Sequence, residues 1–93
     1  MPAFNPALLK AGQTVAVLDR WDTVRKGVVF RVTPSGRSVV EVTNPDGHTY
    51  KQEFDSKGWQ RPKLTFDNKH LEAWTRENAD KYAVAARAAK KRQ

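Results

Sequence analysis

There is no cysteine in these 93 residues, and only one methionine. Disulfides and thiolate metal sites are therefore excluded, and nothing in the chain calls for an oxidising compartment. No apolar run approaches the roughly 20 residues that span a bilayer. The opening Met-Pro-Ala-Phe-Asn-Pro has neither the basic nor the apolar stretch of a signal peptide. No membrane association is expected, and the expected location is cytoplasmic. Glycine is scarce too, its five residues standing singly, so no Gly-rich phosphate loop exists. Histidine occurs only at 48 and 70, and the carboxylates are scattered. Metal sites need three or four convergent ligands, and acid–base catalysis needs groups within hydrogen-bond reach; neither pattern is present. The chain reads as a non-enzyme without metal or cofactor.

Positive charge is abundant instead. Seventeen Lys and Arg against ten Asp and Glu give a formal +7. Up to Phe66 there are 10 basic and 6 acidic residues, and from Asp67 onward 7 and 4, so the excess is spread over both halves. It sharpens at the end, where Arg87, Lys90, Lys91 and Arg92 occur with no acid among the last thirteen residues. Such a balance favours anionic partners and speeds encounter with them.

The length suits one domain over residues 1–93, and a core this small buries a limited share of the unfolded surface. Residues 1–12 form a leader placed to dock through Phe4, Leu8 or Leu9. Thr14 to Asp19, Val24 to Thr33, Arg37 to Thr43 and His48 to Phe54 read as strands. The last three are joined by Pro34-Ser35-Gly36 and Asn44-Pro45-Asp46-Gly47, which are turn sequences, and so form an antiparallel meander. The first strand is apolar on both faces, so its outer face needs a cover. In the second, Val28, Phe30 and Val32 fall on one face, opposite Val29 and Arg31. Lys63 to Phe66 is a candidate fifth strand closing the barrel of residues 13–66.

A helix is expected over 67–92, with Asp67 as N-cap and Phe66 and Leu71 as a hydrophobic staple. Leu71, Trp74, Asn78, Tyr82, Ala85 and Ala89 recur at helical spacing and would pack on the barrel. His70 would then lie in the first turn, facing solvent. The fold class is thus α+β, mainly β: a small antiparallel barrel of four or five strands followed by one helix with a basic end.

Arg25-Lys26-Gly27-Val28-Val29-Phe30-Arg31-Val32, after a first strand and loop, resembles the KOW and related SH3-like small barrels, in which a glycine opens the second strand. Gly27 is the matching position. The longer pattern through Thr33-Pro34-Ser35-Gly36-Arg37 and Val40-Glu41-Val42, with a Trp-containing loop beyond, is similar to small barrel proteins of tailed phages. The first resemblance implies contact with RNA or the transcription and translation machinery. The second implies an accessory protein in a host cytoplasm that inhibits or redirects a host protein.

Two tryptophans sit in loops among charges, Arg20-Trp21-Asp22 and Lys57-Gly58-Trp59-Gln60-Arg61. Cations that meet phosphates, interleaved with rings that stack on bases, are what single-stranded nucleic acid requires. The same pairing also suits a protein hot spot, and the rings could equally lie over the barrel ends as lids. The candidate binding residues, expected to cluster near one rim of the barrel, are Arg20, Trp21, Arg25, Lys26, Lys57, Trp59, Arg61 and Lys63. Arg87, Lys90, Lys91 and Arg92 offer a second contact. The expected partner is nucleic acid, RNA or DNA, or else a host protein, and the helix offers a surface for self-association.

Overall fold

A computed structural model describes residues 4–91. Six antiparallel strands follow a single 3-10 turn at Pro6–Leu8: β1 Thr14–Leu18, β2 Val24–Val32, β3 Ser38–Thr43, β4 Thr49–Phe54, β5 Gln60–Arg61 and β6 His70–Ala73. One helix, α1 Arg76–Lys91, ends the described chain. The strand order is β5-β4-β3-β2-β1-β6. The two outer strands meet: Trp59 bridges His70, the Gln60 amide donates to the Lys69 carbonyl, and the Leu71 amide donates to the Gly58 carbonyl. The sheet therefore comes close to closing into a barrel, which removes most of its exposed edge.

Inside lie Leu9, Val15, Val17, Val29, Val40, Val42, Phe54 and Leu71, with Phe4, Val32 and Tyr50 packed against them. The leader thus docks through Phe4 and Leu9, while Leu8 stays exposed. The outer face of β1 carries Ala16 and Leu18, which with Val24 are covered by Trp74 and Tyr82. Every residue of β1 from Val15 to Leu18 is buried, as its two apolar faces require.

Three expectations need correction. Residues 67–75 are not helical. Asp67 has a left-handed φ of 60°, and its carboxylate accepts the Arg20 amide at 3.3 Å, so it does not cap a helix. His70–Ala73 instead pairs with β1, Leu71 opposite Val17, because the barrel's last open edge gains more from a strand than from another helical turn. The helix starts after Thr75, whose hydroxyl accepts the Asn78 amide at 3.1 Å, the usual N-cap geometry. Trp74 and Tyr82 still pack on the barrel as expected, with their rings edge-on at 5.9 Å, but Trp74 does so from the β6–α1 connection.

Second, Lys63 to Phe66 forms no strand; Gln60–Arg61 and His70–Ala73 are the two outer strands, so the count rises to six. Third, the faces of β2 are exchanged. Val29 is buried, whereas Val28 and Phe30 are exposed. The pairing with β3 slips between Val29 and Arg31. A bulge there leaves Phe30 unpaired and resets the alternation, which returns Val32 to the interior. Gly27 is the inward residue before Val29. A Cβ there would stand 2.7 Å from Val40 Cγ1 and 3.0 Å from the Cγ2 atoms of Val15 and Val17. Glycine stands inside this strand, as its fourth residue, because the barrel walls approach too closely for a side chain.

Candidate functional site

The barrel's seam, where short β5 faces β6, is shaped by one carboxylate. Asp55 Oδ1 accepts the amides of Lys57 at 2.9 Å and Trp59 at 3.0 Å, which bends the chain after β4. Its Oδ2 accepts from Arg61, 3.0 Å from Nη2 and 3.1 Å from Nε. Burial alone would raise the Asp55 pKa. The two amides and the Arg61 guanidinium outweigh it and hold the carboxyl below the ordinary carboxylate range. Alongside runs a cleft of about 320 Å³ lined by Asp55, Lys57, Trp59, Gln60, Arg61, Lys63 and Asn68.

Trp59 is 48% exposed in that cleft, so it is no sealed lid. Its ring packs against the His70 imidazole with centroids 5.0 Å apart. His70 Nε2 lies 2.7 Å from Glu72 Oε2, since residues two apart share a face of a strand. Asn68 pins the loop after β5 at both ends of one amide. It accepts the Leu64 amide and donates to the Leu64 carbonyl, each at 2.7 Å.

The same loop, 62–69, reaches a second aromatic cluster. Phe66 and Trp21 are 64% and 63% exposed, with ring centroids 6.4 Å apart. The Arg20 guanidinium lies 4.3 Å from the Phe66 centroid and 5.4 Å from that of Trp21, close enough for cation–π attraction. Asp19 sets this loop as Asp55 sets the other. It accepts the amides of Trp21 at 2.9 Å and Thr23 at 3.0 Å, and pairs with Arg25 at 3.1 Å. Desolvation pushes the Asp19 pKa up, but the Thr23 amide, Arg25 and the Trp21 amide outweigh it, and the net direction is down.

The candidate residues therefore divide. Lys57, Trp59, Arg61 and Lys63 come together at the seam, and Arg20 and Trp21 lie beyond the connecting loop. The antiparallel order places the Arg20–Trp21 loop and the Lys57 turn at opposite ends of the barrel, so the surface is a band along the seam, not a ring around one rim. Arg25 is absorbed into the structure: it bonds Asp19 and, through Nε, Asn44 Oδ1 at 2.9 Å. Lys26 is exposed on β2, three strands from β5 in either direction around the barrel. Arg87, Lys90 and Lys91 are exposed on α1, whose Ala85, Ala88 and Ala89 share a groove with Arg25, Asn44, Pro45 and Asp46. Arg92 lies outside the described residues. Charge is also segregated, since Asp22, Glu77 and Asp80 line a groove on the helix side with Lys81.

Phe66 and His70 are site residues that the sequence reading assigned elsewhere, to a staple and to a helix surface. The His70-x-Glu72 spacing carries the signal only once the segment is a strand. Among the described residues, no group of three His, Cys, Asp or Glu side chains gathers to hold a metal, and no helix is long and apolar enough to cross a membrane. Comparison with family models, with curated proteins and with solved structures finds no match for this chain.

Proposed function

We propose that the protein is a non-catalytic binding module that contacts nucleic acid, or the nucleoprotein machinery around it, along the seam of the barrel. The supporting observation is the half-exposed Trp59 ring in a cleft flanked by Lys57 and Lys63, with Trp21, Phe66 and Arg20 beyond the adjoining loop. Asp55 already compensates Arg61, so the two lysines are the groups that meet phosphates, while the rings stack on bases for about 1–3 kcal/mol each. The basic end of α1 adds long-range attraction that steers an anionic partner inward.

A protein partner is the second reading, and a different surface favours it. Val28 and Phe30 are exposed on the outer face of β2, 36% and 54%, with Lys51 Nζ 4.0 Å from the Phe30 centroid. An exposed Phe ring is enriched at protein interfaces relative to the rest of a surface, and an accessory protein acting on a host protein would use it.

Anisotropy titrations with single- and double-stranded DNA and RNA at low salt separate the two. Binding that weakens on Trp59→Ala and is indifferent to Phe30→Ala is expected. No binding to any of the four would overturn the nucleic-acid reading and leave the β2 face as the working surface.

A further inference from the structure

We infer that the seam cleft takes single-stranded nucleic acid without regard to base sequence, an inference that rests on the nucleic-acid reading above. Base identity is read by rigid side chains laid against base edges, such as an Arg fork on guanine or an Asn or Gln amide on adenine. In this cleft the Arg61 fork and the Gln60 and Asn68 amides are engaged by the protein itself. Every side-chain acceptor lining it already holds a donor from the protein. Asp55 takes the Lys57 and Trp59 amides and Arg61. Asn68 Oδ1 takes the Leu64 amide. Gln60 Oε1 takes the Lys69 amide at 3.1 Å. These bonds build the turn, the loop and the closure of the barrel, so the fold and not a base sets how these groups are oriented.

What the cleft turns to a ligand is indifferent to sequence: the flexible ammonium groups of Lys57 and Lys63 and the half-exposed Trp59 face. All four bases offer acceptors, all present a π-face, and all strands carry the same phosphates. Single strands are favoured because the ring can stack only on a base that is not already stacked in a duplex. His70, braced by Glu72, backs the Trp59 ring and holds it ready for a base.

The test is anisotropy with labelled oligo-dT, oligo-dC, oligo-dA and one mixed strand, each about twelve nucleotides, within the usual span of such sites. At one fixed salt concentration, affinities within tenfold of one another are expected. Trp59→Ala should weaken all four by a common factor of about 5- to 150-fold. Trp59→Phe, which keeps a stacking ring, should recover most of that loss, and circular dichroism of both variants checks the fold. A spread wider than tenfold, or a loss confined to one base, overturns sequence neutrality while leaving nucleic-acid binding intact. Wild-type protein that binds none of the strands removes the underlying reading, and this inference with it.

Discussion

Replacing Gly27 by alanine adds one methyl group at the tightest point of the barrel. The new Cβ would meet Val40 Cγ1 at 2.7 Å and the Cγ2 atoms of Val15 and Val17 at 3.0 Å. All three valines are fully buried, and β-branched side chains in a packed interior have few other rotamers to retreat into. Overpacking of this kind costs typically 1–3 kcal/mol, and three stiff neighbours place it near ~3. Alanine recovers about 0.5–1 kcal/mol because glycine loses more backbone freedom in a strand. The net loss is about 2 kcal/mol, and at about 4–8 °C per kcal/mol for a domain of this size the melting temperature should fall by roughly 8–16 °C. Calorimetry or thermal circular dichroism measures it. The same substitution beside Val40→Ala, which removes the nearest methyl, should cost less than half as much. A Gly27→Ala protein as stable as the wild type, or an equal loss in both backgrounds, would refute the close-approach account of this glycine.

Two further outcomes follow from the buried polar groups. Ser38 is fully buried, and its Oγ finds no hydrogen-bond partner among the described residues, so Ser38→Ala should raise stability by about 1 kcal/mol in urea unfolding. Asp19 and Asp55 both have pKa values lowered by folding. Their stabilisation is fully present above the unfolded value near ~3.9 and is lost as pH falls through the lower folded values. Urea midpoints should therefore hold level from neutral pH down to about 5 and drop below about 4, with a shallower drop in Asp19→Asn.

Much of the barrel was legible because its strands are separated by turns with unambiguous chemistry. Pro34-Ser35-Gly36 and Asn44-Pro45-Asp46-Gly47 placed β2 to β4 within a residue of their observed limits. The two apolar faces of β1 likewise announced both the interior and the helix-covered exterior. What failed was non-local. A bulge at Phe30 depends on pairing with β3, and no period-2 reading of β2 alone contains it. β6 is four residues long, too short for a period to speak, and Phe66-Asp67 beside Leu71 imitates a capped helix start. Only the open edge of β1 decides between helix and strand there.

The candidate site was legible to a similar degree. Loop tryptophans among lysines and arginines marked Trp59, Lys57, Arg61 and Lys63, which do converge, and Trp21 with Arg20. The sequence could not show that Arg25 is held by Asp19 and Asn44, because that depends on which face of β2 turns inward. Phe66 escaped for the opposite reason: the misplaced helix start assigned it a packing role, whereas its ring lies open beside Trp21.

The seam's claim on phosphates is tested most directly by the salt dependence of single-strand binding, compared between wild type and Lys57→Glu/Lys63→Glu. Each neutralised phosphate contributes about −0.7 to the slope of log affinity against log salt on single strands. Loss of both lysine contacts should make the slope shallower by about 1.4, with weaker binding at low salt. An unchanged slope and affinity in the double variant would show that phosphates are met elsewhere, and would contradict the seam as the binding surface.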